Sequence, residues 1–232
     1  MGGASHGCTN RNTNRMRIWI SGTAQQVVEM SSLGIAECIV TDPTVQAQWT
    51  EEGHPLTEVV RVVTDAVGVP VYMQLRGPEH DDFLREMDYF AAVSPLIRPK
   101  IPATAPGMSA TRRLAADGHQ VLVTAVGTLA QAYVAGAAGA VAIAPYVAET
   151  DEWEEGAAAQ LIRDAVAARG RLPAPLVIPG SIRTTTQAED AIRAGADGII
   201  VYVDLYWRML EHPVTRESLR AHEEDWRTAR AN

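Results

Sequence analysis

The chain has almost no lysine: Lys100 stands alone against nineteen arginines, and acidic residues outnumber the basic ones 28 to 20, for a formal net charge of -8. That balance leaves no basic excess for a nucleic-acid backbone, and no local basic patch makes up for it. Cysteine is scarce too. Cys8 lies in a polar stretch and Cys38 in an apolar one, which offers no framework of bridges and no CxxC metal pair. No run approaches the roughly 20 apolar residues of a membrane helix, and the N-terminus lacks the apolar segment of a signal peptide. The expectation is a soluble, cytoplasmic protein that needs no metal or other cofactor.

Residues 1–15 are rich in Gly, Asn, Ser and Thr and have little to bury, so they read as a disordered tail, with Met16 as a candidate start; a lone His6 there makes no metal site. From 16 to 232 the reading is one domain. Short β-branched runs alternate with helical stretches, the pattern of repeated βα units around a parallel sheet. Eight strands are expected, at 17–20, 37–40, 71–74, 96–101, 120–125, 140–144, 176–179 and 198–203. Helices fall at 24–32, 56–67, 81–90, 109–116, 128–135, 154–168 and 185–193, several closed by a glycine such as Gly118, Gly136 or Gly195. Two more follow, at 205–211 and 215–230. Eight units in about 200 residues suit an α/β protein with a (β/α)8 TIM barrel and an extra C-terminal helix. A doubly wound sheet is the alternative, but Ser21-Gly22-Thr23 after the first strand lacks the spacing of a nucleotide loop.

In such a barrel, chemistry gathers where strands end and βα loops begin. The polar residues at those points are Ser21, Asp42, Gln74, Lys100, Thr124, Tyr146, Ser181 with Arg183, and Asp204. Lys100 sits in an apolar strand, Leu-Ile-Arg-Pro-Lys-Ile-Pro, and two-residue alternation puts it on the inward face with Leu96 and Arg98. Burial disfavours an ammonium, and a neighbouring cation such as Arg98 would lower its pKa further, freeing a nucleophilic amine. A structural ion pair is the competing reading. Ser181 and Arg183, just ahead of a helix at Thr185, make an anion site from hydroxyl, guanidinium and free N–H groups. A plain helix cap is the alternative there.

Six separated motifs resemble the small transaldolases and fructose-6-phosphate aldolases, in that family's order. They are Ile-Val-Thr-Asp-Pro-Thr (39–44), Pro-Lys-Ile-Pro (99–102), Leu-Val-Thr-Ala-Val (122–126), Ala-Pro-Tyr-Val (144–147), Gly-Ser-Ile-Arg-Thr (180–184) and Glu-Asp-Trp (224–226). The resemblance implies that Lys100 forms a Schiff base with a ketose. A dihydroxyacetone unit would then pass from a ketose phosphate donor to an aldehyde acceptor or, in an aldolase, be released by water. It points to Tyr146 as the proton-transfer residue, Gln74 and Thr124 as holders of a water, Ser181 and Arg183 as a phosphate clasp, and a homo-oligomer of five or ten subunits.

Three positions depart from the family pattern. An aspartate that would close the first strand is Ser21, an asparagine in the second-strand turn is Asp42, and an arginine after Tyr146 is replaced by Glu149. Asp42 would compensate for Ser21, and Arg98 would supply the lost positive charge. These changes favour an enzyme specialised for an unusual sugar in a biosynthetic pathway. Other readings are a phosphosugar isomerase or epimerase and a catalytically impaired sugar-phosphate-binding barrel, neither of which has a use for Lys100.

Overall fold

The structure, a computed structural model, describes residues 16–51, 53–171 and 175–230; the expected disordered tail lies outside them. Strands and helices alternate along the chain. The first half runs β1 (Arg17–Ser21), α1 (Ala24–Ser32), β2 (Cys38–Val40), α2 (Pro43–Gln48), α3 (Leu56–Val67), β3 (Val71–Gln74), α4 (His80–Ala91), β4 (Ile97–Pro102) and α5 (Ala105–Ala116). The second half runs β5 (Leu122–Val126), α6 (Leu129–Ala137), β6 (Ala142–Pro145), α7 (Val147–Trp153), α8 (Ala157–Ala167), β7 (Leu176–Val177), α9 (Thr185–Arg193), β8 (Gly198–Tyr202), α10 (Val203–Leu210) and α11 (Pro213–Arg230). Every adjacent strand pair is parallel, in the order β7-β6-β5-β4-β3-β2-β1-β8.

Local sequence explains why each helix starts where its strand lets go. Thr23, Thr104, Thr128 and Thr184 each accept a hydrogen bond from the backbone N–H three residues on, capping α1, α5, α6 and α9. At Thr23 and Thr184 a glutamine completes the capping box. The strand-to-helix turns are therefore short, and the strand ends converge on one rim.

The ends of the sheet meet to close the barrel. Ile200 N–H donates to the Pro179 carbonyl and Asp197 N–H to the Val177 carbonyl, both at 2.9 Å. Asp197 reinforces this seam with its side chain, accepting from Val177 N–H at 2.7 Å and pairing with the Arg169 guanidinium. On the other side of β8, register pairing with β1 is continuous from Arg17–Gly198 to Ser21–Tyr202. Gly198 is required there, since a Cβ would lie 2.3 Å from the Arg17 carbonyl oxygen.

Inward-facing side chains fill the middle of the barrel. Trp19 and Tyr72 stack with ring centroids 5.0 Å apart, packed among Cys38, Val40, Leu122, Ala142, Ala144, Ile178 and Ile200. Burial pushes the Tyr72 phenol up, so it stays neutral. The outward faces of the strands meet the helices in a second apolar layer that includes Ile20, Ile39, Met73, Ile101, Val123 and Ile143. Both faces are thus buried, as expected of a parallel sheet.

The eight strands and the C-terminal helices agree with the sequence reading, and the departures are local. Two short helices, α2 after β2 and α7 after β6, form where the sequence reading placed no helix. Gly136 lies inside α6, and the left-handed turn beyond that helix is taken by Gly139 at φ +98. No helix among the described residues is long and apolar enough to cross a membrane.

Candidate active site

At the C-terminal ends of the strands lies a cavity of about 580 Å³, lined by residues from β1, β2, β4, β5, β6 and β8 and from the loops beyond. Lys100 forms part of its wall and is only 4% exposed. Its Nζ donates to the Thr41 carbonyl at 2.7 Å. Burial pushes the amine down to about 8, and the Asp42 carboxylate acts in the opposite sense. Burial alone therefore accounts for the shift. Arg98, expected beside Lys100 as a helping cation, lies outside the cavity, with its guanidinium on the Pro95 and Ile97 carbonyls and near Gln120.

Asp42 is fixed from two sides. As the cap of α2, its Oδ1 accepts from Val45 N–H at 2.8 Å, while its Oδ2 accepts from the Tyr202 hydroxyl at 2.5 Å. Pro43 at the first helical position makes this a favourable helix start. Ser21, buried at the end of β1, is the register neighbour of Tyr202, and its hydroxyl partly offsets the rise that burial and Asp42 impose on that phenol. Tyr202 and Arg208 line the cavity without having been singled out in the sequence.

Tyr146 caps β6 and faces the cavity from the opposite wall. Burial raises its phenol pKa, the Thr124 hydroxyl offsets part of that rise, and Asp42 and Glu149 add to it. Thr124 is fully buried, its hydroxyl turned toward the Tyr146 phenol. Gln74 is the register partner of Lys100. Its backbone N–H is held by the Thr41 hydroxyl and its carbonyl by Gln46, but its side-chain Oε1 is buried without a partner among the described residues.

The outer end of the cavity carries Ser181, Arg183, Asp204 and Arg208. Ser181 occupies the left-handed region at φ +53, a conformation that costs a non-glycine residue about 1 kcal/mol. Thr184 and Gln187 cap α9, so the side chains of Ser181 and Arg183 are not needed for capping. Arg183 makes two ion pairs of 2.8 Å with carboxylates of α7, Glu149 and Glu152. Asp204 accepts from Gln26, and Arg208 approaches the Arg183 carbonyl at 3.5 Å.

Five of the six motifs therefore meet at one rim; the sixth, the terminal Glu-Asp-Trp, lies on the exposed helix α11. Such an arrangement can hold a carbonyl against a buried amine, with phenol, carboxylate and hydroxyl groups around it and a guanidinium pair at the far end.

Comparison with known proteins agrees. A family model for Transaldolase/Fructose-6-phosphate aldolase matches residues 79–231. A probable transaldolase of Thermus thermophilus is 29% identical over 215 residues, covering 89% of this chain and 95% of the relative. One from a Caulobacter species is 28% identical over 213 residues, covering 91% and 96%. Among solved structures, a thiamine phosphate pyrophosphorylase from Pyrococcus furiosus superposes with a TM-score of 0.54 over 82% of this chain and 86% of that one; at 16% identity it speaks to the fold alone. Together, the barrel and the family match establish that this chain belongs to the Transaldolase/Fructose-6-phosphate aldolase family.

Proposed function

We propose that the protein is a class I transaldolase that moves a dihydroxyacetone unit from a ketose phosphate to an aldehyde through a Schiff base on Lys100. The observation that carries this reading is the buried Lys100 amine on the cavity wall, with its pKa pushed down to about 8. An appreciable fraction is then the neutral nucleophile near physiological pH.

The neutral Nζ adds to the ketose C2 carbonyl, and the carbinolamine loses water to give an iminium. Removal of the C4 hydroxyl proton lets the C3–C4 bond break, its electron pair moving into the iminium to form an enamine. The first aldehyde leaves. The enamine carbon then attacks a second aldehyde, the new alkoxide takes up a proton, and water hydrolyses the iminium to restore Lys100. Tyr146, held neutral by burial, is suited to relay the C4 proton, taking it up as its own passes to the Asp42 carboxylate on the same cavity. The Gln74 Oε1, buried without a partner among the described residues, and the buried Thr124 hydroxyl beside Tyr146 support their part in holding a water nearby. Asp42 and Ser21 meet the hydroxyls next to the cleaved bond, while Ser181, Arg183 and Arg208 take the phosphate.

The donor's phosphate must compete with Glu149 and Glu152 for Arg183. Those pairs are largely exposed, and exposed pairs contribute only about 0–1 kcal/mol each, so a phosphate dianion can displace them. The carboxylates stay close afterwards, which fits an enzyme adapted to an unusual sugar.

Borohydride added with fructose 6-phosphate or dihydroxyacetone, followed by peptide mass spectrometry, tests the reading: a reduced adduct on Lys100 supports it, and its absence across a panel of ketoses overturns it. A second reading, a fructose-6-phosphate aldolase-type lyase, gives the same adduct but releases dihydroxyacetone without an acceptor. A catalytically impaired sugar-phosphate-binding barrel binds the sugar and gives no adduct.

A further inference from the structure

We infer that Tyr202 is a positioning residue for the Schiff-base chemistry proposed above: by donating to Asp42 it fixes that carboxylate beside Lys100 and disperses its charge, keeping the amine free to react. The inference rests on that proposed reading of Lys100 but is tested separately from it.

The geometry is specific. Strand order places β1 between β8 and β2, so Tyr202 at the end of β8 must reach across β1 to meet Asp42 beyond β2. The residue it crosses is its own register partner, Ser21. A serine is small enough to let the phenol pass, and it adds a hydroxyl to the contact. The resulting bond to Asp42 Oδ2, at 2.5 Å, is short and charge-assisted. Helix capping does not require it, because Val45 N–H uses the other carboxylate oxygen. Nor does Tyr202 need it to be satisfied, since 39% of the residue is exposed and water would serve.

Asp42 in turn is the carboxylate that acts on Lys100. The amine is tied to the carbonyl of Thr41, the residue next to it, and Asp42 works against the depression caused by burial. The other charged and titratable groups around the cavity are otherwise engaged or farther along it. Glu149 pairs with Arg183, and Asp204 accepts from Gln26. Arg208 lies on the outer rim beside the Arg183 carbonyl. Tyr146, on the β6 wall, is neutral. Below Lys100, Arg98 is bonded to carbonyls and acts on the neutral phenol of Tyr72.

Removing the Tyr202 hydroxyl would concentrate negative charge on Asp42 and favour the ammonium form of Lys100. Because Lys100 is the only lysine, reductive methylation of the full chain with 13C-formaldehyde gives one side-chain dimethylamine signal, which can be titrated by NMR without turnover. For Tyr202→Phe the expected result is an upward shift of about 0.5–1 pH unit, meaning roughly three- to tenfold less free amine at a fixed pH below the pKa. For Asp42→Asn, which keeps a good helix cap, the shift is downward. The double variant should match Asp42→Asn, because Tyr202 acts through Asp42. Should Tyr202→Phe fail to fold, Ser21→Leu, which blocks the crossing, gives the same upward shift. An unmoved or lowered pKa in a folded Tyr202→Phe, or additive effects in the double variant, would overturn the inference. A wild-type chain that forms no borohydride adduct yet shows these shifts defeats the Schiff-base reading alone. An adduct with an unshifted Tyr202→Phe defeats the tuning alone.

Discussion

Lys100 Nζ and the Thr41 carbonyl oxygen are 2.7 Å apart, so the end of β2 holds the amine in place through an acceptor that serves the ammonium and the neutral amine alike. Orientation is preserved as the proton leaves. With the amine pushed down to about 8, the rate of borohydride-trapped adduct formation should climb about tenfold per pH unit below that value and level off above it. A quench-flow series from pH 6 to 10 measures the limb, and a flat profile would contradict the assignment.

The same burial makes Lys100 a cost to stability. Between about 8 and 10.5 the unfolded chain binds a proton that the folded chain does not. The penalty is therefore in full force below pH 8 and fades as the pH rises toward 10.5. Lys100→Met should abolish the adduct while stabilising the fold at pH 7 by about 1–2 kcal/mol, the loss of the Thr41 bond offsetting part of the relief. Urea denaturation at pH 7 and pH 10.5 checks the sign, because the gain should shrink at the higher pH.

Glu152 pairs with Arg183 without acting on Tyr146, whereas Glu149 does both. Glu152→Gln should lower KM for a phosphorylated ketose about two- to fivefold and leave its unphosphorylated analogue unchanged. Glu149→Gln should also move the pH profile. Steady-state kinetics with fructose and fructose 6-phosphate separates the two.

Asp197 closes the β7–β8 seam through Val177 N–H and Arg169. Asp197→Ala leaves a guanidinium and an N–H without their partner and should cost about 2–4 kcal/mol. Thermal unfolding gives the value, and a loss below about 0.5 kcal/mol would mean the seam is held by backbone pairing alone.

Helix α11 buries none of its residues and presents Leu219 and Trp226 to solvent. That fits the homo-oligomer of five or ten subunits implied by the family resemblance. Light scattering on the wild type should give a multiple of the 25.0 kDa chain mass, reduced by Leu219→Asp with Trp226→Ala.

Strand positions were legible because each apolar run is short and bounded. The threonine caps and Gly118 and Gly195, both at positive φ, mark where several helices begin and end. The site was less legible where height along the barrel matters. Alternation puts Arg98 and Lys100 on one face but does not reveal that two residues along a strand means about 7 Å of depth, enough to place Arg98 below the cavity. Tyr202 was missed for a similar reason. Extending the last strand to Val203 made Asp204 look like its polar end, whereas the strand stops at Tyr202 and α10 begins at once. The helices α2 and α7 span fewer than two turns each, too few for an apolar period to show.

The unequal lengths of the strands divide the rim into firm and yielding ground. Lys100 rides on β4, paired on both sides over several residues, while Ser181 and Arg183 extend from β7, which has two ladder residues and, beyond them, a single bridge from Gly180 to Tyr146. Local opening is easier where few ladder bonds must break. In the proposed reaction, then, the covalent step falls on a strand laddered on both sides, and the grip on the far end of the sugar falls on the turn beyond a short strand, where substrates of different lengths would be told apart.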